Sequence, residues 1–189
     1  MCRLENEEKL IAGCRAGDDA ARELLYRRYS KQLMAVCYRY TGSMDDALDV
    51  LHDGFIKIFT HFTFRGESAL ATWLTKVMIS EAVDYLRKRH RFISLFGEVD
   101  DGLEEVPDDD NDIVFAGSRL TEQELLQLVA ELPEGCRTVF NLFVIDGKTH
   151  REIAEMLHIK EHSSTSQYHR ARKILKDKIK AYESNEANG

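Results

Sequence analysis

The stretch from Lys148 to Lys173 constrains the fold of this chain more than any other. Gly147 precedes it and is suited to ending a helix, because glycine adopts a positive φ at little steric cost. Thr149 and Glu152 stand at capping-box spacing at the start of a new short helix. A polar turn over 158–163 leads to a second helix, whose inward positions recur every three or four residues at Tyr168, Ala171, Leu175 and Ile179. This pattern is typical of a helix-turn-helix, with an ordinary amphipathic hairpin as the alternative.

Charge distinguishes these two alternatives. Residues 148–180 contain nine Lys or Arg against four Asp or Glu, although the whole chain has a formal net charge of −7. Such asymmetry indicates a surface for polyanions. Cations supply phosphate contacts, and short polar side chains at the start of a recognition helix are of the type that reads base edges. The stretch therefore predicts DNA binding.

Composition limits the class of protein to which this chain can belong. The 189 residues are 43% hydrophobic and 31% charged, which suits one ordinary domain or two small ones. No apolar run is long enough to span a bilayer, and the charged N-terminus lacks a signal-peptide core, so we expect a cytoplasmic protein with no membrane insertion. The four cysteines are widely spaced without a CxxC pair, which favours buried thiols over disulfides or metal ligands.

The third predicted helix carries three carboxylates along one outer edge, at Asp46, Asp49 and Asp53. Three interpretations are open: a solvated face, a docking strip for a basic partner, or a metal-binding cluster. Helical-bundle metal sites usually draw Glu and ExxH motifs from several helices, and this half of the chain has no ExxH motif.

Aromatic and basic residues follow this helix. Phe62, Phe64 and Trp73 surround an Arg-Gly turn, where they could stack on unpaired bases or could fill a helix–helix corner. The fourth predicted helix, about 68–91, ends with four Lys or Arg in the five residues 87–91. Because this exceeds what the helix dipole favours, the end of the helix is predicted to face phosphates.

The amino-acid composition changes after the fourth predicted helix. Residues 92–118 contain no Lys or Arg, and nine Asp or Glu lie between Glu98 and Asp112, which predicts a flexible acidic linker. Thr121 and Glu124 form a second capping box that opens the C-terminal part, and Pro133 begins a further predicted helix with Val139, Phe140, Phe143 and Val144 facing inward. No strand pattern occurs, so we predict an all-α fold. The predicted order is an N-terminal helical domain (1–92), the linker (93–118), a helix-turn-helix domain (119–183) and a disordered tail (184–189).

No motif for catalysis is present. The sequence lacks a phosphate-binding glycine loop, a nucleophile elbow and a credible Ser/His/Asp arrangement. We therefore predict a protein that is not an enzyme, with no catalytic residue, no metal and no cofactor.

Three segments together resemble one family. Residues 46–59, 64–91, and 132–157 with 168–175 are similar, in order and spacing, to bacterial RNA polymerase sigma factors of the extracytoplasmic-function type, group 4 of the sigma-70 family. The resemblance implies a factor that binds core polymerase, recognises the −10 and −35 promoter elements and promotes initiation. Its implied partners are the β′ and β subunits, promoter DNA and, as is common in the family, an anti-sigma factor.

The resemblance also implies residue roles. The strip that docks on core polymerase corresponds to Asp46, Asp49, His52, Asp53 and Phe55. The surface that captures a flipped base and holds the −10 strand corresponds to Phe64, Arg65, Ser68, Trp73, Lys76, Ser80, Arg87, Lys88 and Arg91. The −35 reader corresponds to Thr149, Lys160, Ser163, Thr165, Ser166, Gln167, His169, Arg170 and Lys173. The linker corresponds to the segment that threads through the polymerase towards its active site.

The chain departs from the family at three positions. Ser80 stands where Asn is frequent, Ser164 where an apolar residue is usual, and His162 where Gly is common. Two other functions stay open beside the sigma factor. One is a stand-alone helix-turn-helix regulator with an N-terminal ligand or dimerisation domain, and the other is a helical metal-dependent enzyme using the three aspartates.

Overall fold

The computed structural model describes residues 2–90 and 121–186, and every regular element within these ranges is a helix, which confirms the all-α prediction. The elements in chain order are α1 (Cys2–Ala16), α2 (Asp19–Thr41), α3 (Met44–Thr60), α4 (Leu70–His90), α5 (Glu122–Ala130), α6 (Glu134–Phe140), the π-helix π1 (Asn141–Ile145), α7 (His150–Leu157) and α8 (Glu161–Glu186). The linker predicted at 93–118 and the predicted −10 residue Arg91 lie outside the described residues. None of the described helices is long and apolar enough to cross a membrane.

The chain divides into two compact units, Met1–Tyr85 and Leu86–Gly189. In the first unit, α2 packs against both α1 and α3. Gly42 ends α2 with a left-handed φ of 69°, and the Ser43 side chain accepts a hydrogen bond from Asp46 N–H to cap α3. Gly and Ser are residue types that are favoured at such helix ends.

Helices α3 and α4 approach closely at Gly54. A Cβ added there would overlap with the Met78 side chain, which is fully buried. Gly54 therefore allows the two helices to pack closely. Lys57 and Glu81 form an ion pair across the same helices.

The C-terminal unit is built on α8, which packs against α6 and α7. Its core cluster consists of Val129, Leu132, Cys136, Phe140, Ala171 and Leu175. The capping box predicted at Thr121 and Glu124 is present at the start of α5. Gly147 has the predicted positive φ, at 65°.

One predicted helix in this unit was only partly correct. The sequence predicts a continuous helix from Pro133 with Val144 facing inward, whereas α6 gives way to π1 and Val144 is 43% exposed. The Asp146 N–H donates to Asn141 O at 2.9 Å, an i→i+5 bond. Because a π-helix has more residues per turn, positions that follow it no longer face where an α-helical period would place them.

Candidate functional site

The first candidate surface is the acidic edge of α3, which comprises Asp46, Asp49 and Asp53. The side chains of Asp49 and Asp53 are exposed, and so is that of His52 between them. Asp46 is half-buried and accepts a hydrogen bond of 2.8 Å from the Tyr85 hydroxyl. Within the described residues, no three His, Cys, Asp or Glu side chains are grouped as a metal site would require.

Two apolar side chains flank this edge and were missed by the sequence reasoning. Leu48 is 40% exposed and Ile56 is 62% exposed, whereas the apolar residues of the core stripe on α3 are buried. Large exposed apolar groups beside charge are typical of protein interaction surfaces. The signal in the sequence was their spacing of four residues on either side of His52, off the core stripe.

Phe55, predicted to contact polymerase, lies in the core. It is 3% exposed, and its ring packs against Tyr26 and Phe59 at centroid distances of 4.7 and 5.5 Å. Its place is beneath the acidic edge, where it supports α3 from inside.

The second candidate surface is the aromatic loop, residues 61–69, together with the start of α4. Phe62 and Phe64 both pack on Trp73, with ring centroids 5.4 and 5.5 Å away. Phe64 is buried, as a residue that fills a helix–helix corner would be, whereas Phe62 and Trp73 are half-buried and leave part of each ring exposed. The Arg15 guanidinium donates to Phe64 O at 3.0 Å and anchors the loop to α1.

The tip of this loop is open to solvent. Gly66 has a φ of +79°, and nothing lies within 4 Å of a Cβ added there. Arg65 and Ser68 are exposed on either side of it. Along α4, Lys76, Ser80 and Lys88 are also exposed, while Arg87 is half-buried. The exposed edge of α4, with its cations and hydroxyl groups, thus continues from the partly exposed aromatic rings. This combination is suited to binding single-stranded nucleic acid.

The third candidate surface belongs to the helix-turn-helix of α7 and α8. The capping box predicted at the start of α7 is present: Thr149 N–H donates to Glu152 Oε2 at 2.8 Å, and Glu152 N–H donates to Thr149 Oγ1 at 3.2 Å. The Thr149 backbone N–H, as the largest cause, and the Thr149 hydroxyl hold the pKa of the Glu152 carboxyl below its ordinary value.

The turn itself is shorter than predicted. The sequence predicts a turn over 158–163, but α8 begins at Glu161, and His158 ends α7 in the left-handed conformation with φ of 56°. The sequence places Ser163 at the end of the turn, because serine favours turns. Its backbone N–H instead donates to Lys160 O at 3.1 Å, so Ser163 belongs to the first turn of the helix, as does Ser164, whose N–H donates to the same oxygen at 3.3 Å.

Two residues predicted to read bases face inward. Ser163 is 7% exposed and Gln167 is 5% exposed, and Gln167 Oε1 accepts a hydrogen bond of 3.0 Å from Cys136 Sγ. Burial raises the pKa of that thiol to about 11, so it stays protonated and able to donate.

The remaining predicted residues form an outward face. Arg170 and Lys173 are exposed on α8, while Thr165, Ser166 and His169 are half-buried beside them; Thr149 and Lys160, on α7's cap and in the turn, are exposed. Their spacing of three and four residues places the α8 members on one side of the helix. This face combines cations with hydrogen-bonding groups, as phosphate and base-edge contacts require.

Known proteins match the chain over both units. The Sigma-70 region 2 family model matches residues 25–92, and the model of Sigma-70, region 4 matches residues 122–175. The ECF RNA polymerase sigma-E factor of Haemophilus influenzae is 28% identical over 189 residues, covering 95% of this chain and 98% of that protein. The RNA polymerase sigma-H factor of Pseudomonas aeruginosa is 26% identical, covering 93% and 94%.

A solved structure is also similar, at a lower level. The sigma factor RpoE of Bartonella quintana, in complex with the anti-sigma factor NepR, has a TM-score of 0.47 and 20% identity, covering 84% of this chain and 96% of that one.

Proposed function

The chain belongs to the sigma-70 family as a sigma factor of the extracytoplasmic-function group, which directs RNA polymerase to promoters, and on this premise we propose how its two units divide that task. Sigma factors are initiation factors and not enzymes. The N-terminal unit binds core polymerase and the −10 element, and the C-terminal helix-turn-helix binds the −35 element.

The acidic edge of α3 docks on the β′ subunit of core polymerase. This assignment is supported by the exposure of Asp49, His52 and Asp53, and by the apolar neighbours Leu48 and Ile56. Carboxylates steer a basic partner and set its orientation, while apolar contacts supply affinity. Asp46, bonded to Tyr85, holds the edge in place from α4.

The aromatic loop and the exposed edge of α4 hold the opened −10 strand. Support comes from the open tip around Gly66 and from the half-buried rings of Phe62 and Trp73, which leave part of each ring accessible. An extruded base needs such a face to stack on, and the strand needs cations such as Arg65 and Lys76 along its backbone.

The outward face of α8 reads the −35 element in duplex DNA. Arg170 and Lys173 contact phosphates, and Thr165, Ser166 and His169 are placed for base edges. Ser163 and Gln167 serve the core of the domain, because their side chains are buried.

Location and further partners rest on the family resemblance. We place the protein in the bacterial cytoplasm, where core polymerase and DNA are found. An anti-sigma factor is proposed as a partner because such partners are common in the family.

The proposal rests on one observation: the three candidate surfaces lie within the residues matched by the family models of Sigma-70 regions 2 and 4. The test is run-off transcription on genomic fragments with purified core polymerase, with and without the chain. We expect discrete transcripts that depend on both components. Sequence-specific DNA binding without any effect on polymerase would instead support a stand-alone helix-turn-helix regulator.

A further inference from the structure

A part-buried polar contact joins the first residue of α7 to the beginning of α8. Nδ1 of His150 lies 2.9 Å from Oγ of Ser164, and the Ser164 side chain is fully buried, with 0% exposure. A buried hydroxyl without a hydrogen-bond partner costs free energy. His150 thus supplies a partner for a hydroxyl that water does not reach.

Aromatic packing fixes the orientation of the His150 ring. The ring stacks on Phe143 of π1, with centroids 4.3 Å apart and planes 10° from parallel, and its centroid lies 5.7 Å from that of Tyr168 on α8. Tyr168 in turn packs on Phe143 at 4.6 Å. Because these contacts restrict rotation of the imidazole, Nδ1 is held towards Ser164.

Ser164 lies directly beside the outward face of α8. Thr165 and Ser166 follow it in the chain, and all three belong to the same helix. The position of Ser164 against α7 therefore determines how α8 is placed and rotated against α7, and with it the position of the neighbouring residues. Base-edge recognition requires such side chains to be held within a fraction of an ångström, by neighbours whose own rotamers are fixed.

We propose that His150 is a positioning residue for recognition of the −35 element, and that its neutral ring holds α8 in register against α7 through Ser164. The inference rests on the proposed function of α8. His150 itself contacts no DNA in this proposal and acts through the position of its partner helix.

The surroundings of the ring favour its neutral form. Half-burial is the largest cause that lowers the pKa of His150, and the nearby His169 of α8 lowers it further, while Glu161 of α8 opposes them. π1 contributes Phe143 and contains no titratable side chain. On α7, Arg151 pairs with Glu155, and Glu152 is engaged by Thr149 and Lys148. Protonation of His150 at low pH therefore destabilises the native position of α8 against α7.

Three variants separate positioning from packing. His150→Asn keeps a hydrogen-bonding group near the place of Nδ1 but does not titrate. His150→Phe keeps a ring for Phe143 to stack on and removes the bond. Ser164→Ala removes the buried hydroxyl, so that in the His150→Phe background no polar group is left without a partner.

The experiment uses the full chain with core polymerase and a promoter recovered in the run-off screen. The measured quantity is the ratio of Kd values for that promoter with its −35 region scrambled and intact. His150→Phe should lower this ratio about tenfold at neutral pH, the scale of one misplaced base contact, and adding Ser164→Ala should recover most of that decrease. The wild-type ratio should fall as the pH drops through the lowered pKa of His150, whereas the His150→Asn ratio should stay level.

The possible outcomes distinguish a failure of the positioning role of His150 from a failure of the proposed function of α8. An unchanged ratio for His150→Phe, or the same pH profile for wild type and His150→Asn, overturns the positioning role. If His150→Phe does not fold, the comparison of wild type with His150→Asn decides alone. If scrambling the −35 region does not affect the wild type, the proposed function of α8 is what fails, and the positioning role falls with it.

Discussion

The Tyr85 hydroxyl donates a hydrogen bond of 2.8 Å to Oδ1 of Asp46 and thereby joins α4 to the acidic edge of α3. Asp49 and Asp53 follow one and two turns later on α3, and both are exposed. Three aspartates that look equivalent in the sequence therefore differ in role. Asp46 links two helices, whereas the other two face outward.

Removing this hydrogen bond should destabilise the N-terminal unit. Tyr85→Phe is expected to lower its free energy of unfolding by about 1 kcal/mol, the usual net value of one hydrogen bond. Urea denaturation followed by the fluorescence of Trp73, the single tryptophan of the chain, measures this unit selectively. Combining Tyr85→Phe with Asp46→Ala should cost less than the sum of the two single substitutions. Fully additive effects would show that the pair does not contribute as a pair.

Charge reversal at the outward aspartates should weaken binding to core polymerase. Asp49→Lys with Asp53→Lys is expected to raise the Kd for core polymerase about tenfold or more, because like charges then oppose each other in the interface. Fluorescence anisotropy of labelled chain measures this. Glu8→Lys with Glu23→Lys is the matched control, since it changes the net charge equally at exposed positions on α1 and α2. A comparable effect of the control would argue against a specific role of the acidic edge.

Local sequence signals predicted the helix ends well. Gly42, Gly147 and the two capping boxes occur where the residue types place them. Each of these signals is set by contacts within four residues along the chain, so the sequence alone carries the information. The all-α class followed from the same local periodicity.

Properties that depend on distant residues were not predictable in this way. Gln167 looks outward from its polar character, but it is buried because Cys136, 31 residues earlier, donates to it. The family resemblance gives Phe55 and Phe64 contact roles, but rings from other elements cover both side chains. The π-helix turned Val144 outward against its helical period. Packing between elements thus determines the burial of these side chains, whereas the wider turn of the π-helix determines the direction of Val144.

The cations of α8 should determine how DNA binding depends on salt. Arg170→Ala with Lys173→Ala is expected to reduce the slope of log K against log salt by about 1 for each phosphate that the helix no longer neutralises. Binding of a promoter duplex across a range of NaCl concentrations measures the slope. Lys180→Ala is the control, because Lys180 is an exposed cation two turns beyond Lys173 on the same helix. A slope unchanged by the double substitution would exclude phosphate contacts at these two residues.

The capping box of α7 should make the helix-turn-helix sensitive to acid. Thr149→Ala is expected to destabilise α7 by about 1 kcal/mol, whereas Thr149→Ser, which keeps the capping hydroxyl, should cost much less. Because the pKa of Glu152 is lowered in the folded protein, its ionised form stabilises the fold above its unfolded pKa, and that stability is lost as the pH falls through the folded pKa. Glu152→Gln should abolish this part of the pH dependence. Hydrogen exchange of the α7 amides, taken relative to the intrinsic rate at each pH, tests both effects. Equal protection in Thr149→Ala and Thr149→Ser would show that the hydroxyl does not cap the helix in solution.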